Sequence, residues 1–251
     1  MSRDATFCVL TYGDHVDLCR RAIESIRKHC PRRRYSLVVG ANAISHRMSK
    51  YLEGLKEAKE LDHLVVSETN LNKGRMMPRM LRWVETELVW WMDDDSYVRS
   101  SRTFAYYLER VRSSPPSIVQ WGQMAWCDHP RGFTRVADIV AWVRQARWFR
   151  GLPPPSWEPG GKGEFDFEGR GTGDGRWVFI LGGCWVARMA ALRELKWPDP
   201  RLIRYGEDVL LGEAIRQQGW SLMNTGGWGL AIDAAPRRGL KARARTKEAP
   251  H

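Results

Sequence analysis

Three consecutive carboxylates, Asp93-Asp94-Asp95, follow directly on the apolar run Leu88 to Met92. Carboxylates this close repel one another, so the cluster favours either protonation or a bound cation. A divalent ion held by carboxylate oxygens is also a common partner of a substrate diphosphate. A second acidic pair, Glu207-Asp208, opens a helical pattern far downstream, and the two clusters together favour the metal reading. The plainer readings are a solvated acidic turn at 93–95 and, at 207–208, a helix N-terminus stabilised through its dipole.

The elements around these residues alternate. Phe7 to Thr11 reads as a strand, followed by a helix from Asp14, as N-cap, to about His29, ended by Pro31. Leu37 to Val39 is a second strand closed by Gly40, and Ser45 opens a helix through about Lys59. Leu64 to Val66 makes a third strand, Asn72 begins a loop, and a helix follows near Met76 to Glu87. The fourth strand ends at the aspartates. Short connections between such repeats predict a mostly parallel sheet flanked by helices, an α/β fold that binds ligands beyond its strand ends.

Beyond Asp95 the pattern loosens. Thr103 to Val111 predicts a helix, Ile118 to Trp121 a strand, and Ala137 to Phe149 an amphipathic segment. Residues 151–175 are rich in proline and glycine, a length that in a compact domain marks a functional lid or a disordered segment. A strand at Trp177 to Leu181, a turn at Gly182-Gly183, and helices from about Arg188 to Lys196 and Glu207 to Gln218 complete the domain. The division expected is one domain over 1–235, with a donor half at about 1–122, an acceptor loop at about 123–176 and a catalytic half at about 177–235. A flexible basic tail follows at 236–251.

Composition bounds the partners. The 251 residues carry a formal charge of +11, which fits a polyanionic partner: nucleic acid, an anionic membrane surface or a phosphorylated substrate. No stretch approaches the ~18 apolar residues of a membrane span, and residues 1–7 show no signal-peptide pattern. The 5 cysteines form no CxxC pair, so they read as reduced thiols of a cytoplasmic protein, not a zinc site or disulfide framework.

The motifs themselves resemble a known group. Asp93-Asp94-Asp95-Ser96-Tyr97-Val98 resembles the DxD segment of GT-A glycosyltransferases, especially that of the Fringe and β1,3-galactosyltransferase group. Gly182-Gly183 and Glu207-Asp208-Val209-Leu210-Leu211-Gly212, running to Gly219, resemble that group's later motifs. The N-terminal half, beginning with Leu10-Thr11-Tyr12, is similar to family 2 glycosyltransferases. The resemblance covers about residues 6–223 outside the loop at 123–175. It implies a single GT-A domain with a Rossmann-like nucleotide-binding sheet, a nucleotide-sugar donor, UDP by default, and Mn²⁺ or Mg²⁺.

By that resemblance Asp95 coordinates the metal directly, Asp93 lies on the metal or the ribose, and Asp94 is nearby on the donor. Asp208 is the general base of an inverting displacement, and Glu207 orients donor or acceptor. The late histidine ligand common in the family has no counterpart, because after His129 only His251 remains. Thr11, Tyr12 and Asn42 should line the nucleotide cleft, with Tyr12 stacking on the base. Asn72, Lys73 and Arg79, with Arg75, should face the diphosphate, and Gly182 and Gly183 let backbone approach the donor sugar. As surface cations and an ordinary tight turn, those residues would look the same.

Acceptor choice belongs to the segments without family signature. Trp142, Arg144, Arg147 and Trp148 interleave cations with aromatics, a pattern that suits a nucleic-acid acceptor. Extrusion of a hydroxymethylated base would present a suitable nucleophile. The leading expectation is therefore a DNA-modifying sugar transferase of the sort phages use. The rivals are transfer to a protein, surface glycan or small metabolite, a non-catalytic nucleic-acid-binding scaffold, and a nucleotidyl or phosphoryl transferase.

Overall fold

A computed structural model of the chain describes residues 3–127, 177–195, 197 and 207–232. The expected acceptor residues Trp142, Arg144, Arg147 and Trp148, the amphipathic segment, the Pro/Gly-rich stretch and the basic tail lie outside the described residues.

The sheet is built as the alternation predicts. Strands β1 (Ala5–Gly13), β2 (Tyr35–Ile44), β3 (His63–Ser67) and β4 (Leu88–Asp93) pair in parallel, linked by helices α1 (Val16–His29), α2 (His46–Glu57) and α3 (Asn72–Leu81). A short β5 (Ser96–Val98) and helix α4 (Ser101–Ser113) lead to β6 (Ile118–Cys127), β7 (Trp177–Arg188) and helix α5 (Met189–Glu194). Helix α6 (Glu207–Gln217), β8 (Ser221–Asn224) and β9 (Leu230–Ile232) follow. The seven-stranded order is β3-β2-β1-β4-β7-β6-β8, in which only β7 runs against the rest, and β5 and β9 form a separate ribbon.

Because β4 is central, both its faces are buried, and its side chains alternate between two cores. Trp90 stacks on Phe7 at 4.9 Å under α1 and α4, whereas Trp91 stacks on Trp185 at 5.8 Å beneath α3 and α6. The four buried thiols Cys8, Cys19, Cys30 and Cys184 have their pKa pushed up by burial, that of Cys184 to about 12. Such thiols are space-filling groups.

Local expectations fail where tertiary contact outweighs local preference. Asp14 does not cap α1; His15 holds that position, and Asp14 accepts the Ser45 hydroxyl instead. Ser45 does cap α2, accepting the Met48 N–H at 3.1 Å. The second strand runs past Gly40 to Ile44, and Gly40 marks a close approach: a Cβ there would overlap the Met80 sulfur. Helix α3 occupies 72–81, not 76–87, so Asn72 starts a helix and not a loop. Gly74 and Pro78 argue against a helix there, since Pro78 cannot donate to the Gly74 carbonyl. Burial of Met76, Met77, Met80 and Leu81 outweighs that loss.

Candidate active site

The site lies beyond the C-terminal ends of β1, β2 and β4, and three features of the backbone assemble it. Strand β4 delivers the aspartates. The parallel register ends with Leu10 opposite Asp93, and the Asp94 N–H still bonds the Leu10 carbonyl at 3.0 Å. Asp94 is fully buried and accepts the Thr11 hydroxyl at 2.7 Å. Thr11 and Asp94 are thus bonded to each other at the strand ends, and they fix the turn that presents Asp93 and Asp95. Asp93 receives the Trp91 indole N–H at 3.1 Å, and Asp95 is 4% exposed.

Strand β7 overshoots the end of β4. Their antiparallel register closes at Met92 opposite Cys184, which carries Gly183 and Gly182 alongside the aspartates. The glycines lie within this strand and not in a turn, so the turn expectation is corrected. Both are required by contact. A Cβ at 182 would overlap the Asp208 carboxylate, and one at 183 would lie 2.7 Å from Ile232 Cδ1. The Gly183 carbonyl accepts the Ser96 hydroxyl at 2.6 Å.

Helix α6 packs flat on β7, where a Cβ at Gly212 would come within 2.8 Å of the Val178 carbonyl. That contact sets its first turn against Gly182. The Gly182 N–H donates to Asp208 at 3.0 Å. Glu207 is partly buried, and its pKa is raised, first by burial and then by the Asp208 charge, although a backbone hydrogen bond opposes the rise.

Lys73 joins the two clusters. Its Nζ lies 3.3 Å from Asp93 Oδ2 and 3.4 Å from Asp208 Oδ1, and it donates to the Gly182 carbonyl. Burial opposes its charge, but Asp208 and Asp93 outweigh that and hold it protonated. Lys73 reaches this position from the first turn of α3, which faces the first turn of α6 closely enough that a Cβ at Gly74 would lie 3.7 Å from Glu207 Cγ. Two helix N-termini thus converge on one cleft, an arrangement that favours anions.

The other expected donor residues differ in exposure. Asn42 is buried, donating to Asn70 Oδ1 at 3.0 Å and accepting the Leu71 N–H at 2.9 Å. It anchors the approach to α3. Asn70 also accepts the N–H of Asn72, whose φ of 61° makes the sharp entry into the helix. Arg79 is exposed on α3, away from the buried face of Met76, Met77 and Met80. Tyr12 is half-buried at the end of β1, edge-on to His15 at 4.8 Å. Sequence reasoning missed Trp91, Asn70, Ser96 and Ile232 as supports. Only Trp91 had a signal, since strand alternation puts it on the face of Asp93.

Among the described residues no group of three or more His, Cys, Asp or Glu side chains is arranged to hold an ion. The Lys73 ammonium beside Asp93 does mark a place that demands positive charge. Asp93 and Asp95 offer hard oxygen donors of the kind a divalent ion takes.

A mixed sheet with a parallel donor half and carboxylates at its strand ends defines a GT-A-like fold. The pattern of the glycosyltransferase-like family 2 matches residues 4–226, and the chain belongs to that family. Among solved structures it is similar to the mannosyltransferase PcManGT from Pyrobaculum calidifontis, solved with GDP-Man and Mn²⁺. The identity is 15%, with a TM-score of 0.61, over 100% of this chain and 66% of that one. It is similar also to S. aureus TarS 1-349, at 14% identity and a TM-score of 0.52, over 85% of this chain and 56% of that one. The chain thus spans about two thirds or less of either protein's length. No curated protein matches it in sequence. Among the described residues no helix is long and apolar enough to cross a membrane.

Proposed function

We propose that the protein transfers a sugar from a nucleotide-sugar to an acceptor hydroxyl, with a divalent cation and with inversion at the anomeric carbon. The observation that carries this reading is the Asp208 carboxylate, fixed by the Gly182 N–H and joined through Lys73 to Asp93. One carboxylate stands ready to accept a proton while another, across the same cleft, faces the leaving group.

Asp93 and Asp95 would hold Mn²⁺ or Mg²⁺, which when bound neutralises charge on the departing nucleoside diphosphate. Tyr12 offers a face for the base, and Lys73 with the first turn of α3 receives the diphosphate. The backbone at Gly182 and Gly183 lies against the sugar. Asp208 takes the proton of the attacking hydroxyl, an effect typically worth ~10²–10⁴-fold, and Glu207 orients the acceptor. TarS was solved with UDP and PcManGT with GDP-Man, so uridine and guanosine donors are tried first.

For the acceptor, the charge of +11 and the cation–aromatic alternation over 142–150 favour a polyanion. Hydroxymethylpyrimidine DNA is a polyanion that offers a nucleophilic hydroxyl on its base, and such an acceptor would place the enzyme in the cytoplasm. The test is intact-nucleoside mass spectrometry on duplex DNA carrying hydroxymethylcytosine or hydroxymethyluracil, with a donor panel and Mn²⁺. A hexose gain abolished by Asp208→Asn is expected. Donor turnover without gain would contradict the DNA acceptor and keep the transferase.

A further inference from the structure

One ammonium stands among Asp93, Asp208 and the Gly182 carbonyl, and its side chain is only 13% exposed. Lys73 donates to Asp93 and to the Gly182 carbonyl and pairs ionically with Asp208, so three oxygens already surround its ammonium without any ligand. The face of Trp91 lies 5.9 Å away and closes the pocket further. Such an ammonium is held as firmly as a bound ion would be.

That placement conflicts with the use of Asp93 as a metal ligand. A divalent ion sits roughly 2.0–2.6 Å from its carboxylate oxygens, and the ammonium is 3.3 Å from the Oδ2 of the same group. Two cations held by one carboxylate in a partly buried site repel each other. Resting on the transferase reading above, we propose that Lys73 is an internal counter-ion that fills the cation's place in the donor-free site and must withdraw from Asp93 before a divalent ion can be held there.

The flexible four-carbon stem permits that withdrawal. An arriving diphosphate at the first turn of α3 supplies the anion to which Lys73 moves. Metal and donor consequently enter together, and a metal ion alone binds poorly. The same movement lengthens the Lys73–Asp208 pair and frees that carboxylate for the acceptor proton. Lys73 is in this sense a positioning residue for both halves of the site, and premature proton abstraction is suppressed until donor is present.

The test is Mn²⁺ binding to the purified chain, read by electron paramagnetic resonance without any nucleotide. Lys73→Gln and Lys73→Met should bind Mn²⁺ at least tenfold more tightly than the unaltered protein, whereas Lys73→Arg should stay weak. Adding Asp93→Asn to Lys73→Gln should remove the gain, and adding UDP or GDP should narrow the difference. Equal or weaker Mn²⁺ binding in a folded Lys73→Gln protein overturns the proposal and favours an ammonium that substitutes for the metal throughout. If the neutral variants do not fold, tight nucleotide-free binding by Lys73→Arg or by the unaltered protein overturns it, and weak binding by both, tightened by nucleotide, supports it. Gain without sugar transfer would contradict only the transferase reading; transfer without gain would contradict only the role of Lys73.

Discussion

The two ends of the parallel sheet both carry ion pairs, and they differ in balance. At the N-terminal ends of the strands, Asp62 meets Arg3 at 2.7 Å and Arg32 at 2.8 Å, while Asp4 meets Arg34 at 2.6 Å and Arg112 at 3.3 Å. Each carboxylate there has two cations, and the arginines are largely solvated. At the C-terminal ends Asp93 and Asp208 share the ammonium of Lys73, and Glu207 lies within its electrostatic reach. At the first end four arginines serve two carboxylates, whereas at the second one partly buried ammonium is shared by two carboxylates. Solvated pairs typically contribute ~0.2–1 kcal/mol each; a partly buried excess of one sign is where a charged ligand belongs.

The largest effect that can break this comparison is expected at Asp208. Asp208→Asn should lower kcat by about 10²–10⁴-fold while leaving donor affinity nearly unchanged, checked by steady-state kinetics once an acceptor is known. Next is Gly182→Ala. The new methyl displaces the Asp208 carboxylate, and a misplacement of ~1 Å is enough for roughly 10²-fold loss. Nucleoside diphosphate release measures it.

Asn42→Ala acts through the approach to α3. It leaves the Leu71 N–H without its acceptor, which should cost about 1–3 kcal/mol in urea unfolding and raise KM for donor through Lys73.

Glu207→Gln tests the excess charge directly. The raised pKa of Glu207 means that the folded site prefers the protonated acid. Its favourable contribution is full below the ordinary glutamate value of ~4.3 and is lost as pH rises through the raised one. The Gln variant should therefore melt higher at neutral pH, with the gain vanishing in acid.

The smallest effect is expected at the N-terminal ends of the strands. Arg32→Ala should change stability by no more than about 1 kcal/mol and leave turnover unaltered. A loss of activity there would remove the distinction between the two ends.

Much of this asymmetry was legible in the chain. The apolar run 88–92 ending in carboxylates fixed both the central strand and the site's edge, because strand periodicity and charge agree there. Gly182-Gly183 was read as a turn because glycine signals only permissiveness; that Asp208 and Ile232 fill the missing side chains is a tertiary fact. Helix α3 was placed late because Asn72 and Gly74 read locally as a loop, and only burial of the methionines beneath starts the helix there. The Lys73–Asp208 pair spans elements far apart in sequence, and no local pattern encodes it. Asn42 and Thr11 were assigned to the donor from strand-end position alone, which does not reveal their bonds to Asn70, Leu71 and Asp94.

The carboxylates Asp93, Asp95 and Asp208 are expected to serve a nucleotide-sugar and its cation. The most direct test is Mn²⁺-dependent release of nucleoside diphosphate from a panel of uridine and guanosine sugar donors, comparing the unaltered protein with Asp95→Asn. Release from at least one donor, lost on removing Mn²⁺ and reduced at least a hundredfold by Asp95→Asn, is the expected result. Release that is indifferent to both, or none from any donor by a folded protein, would contradict it.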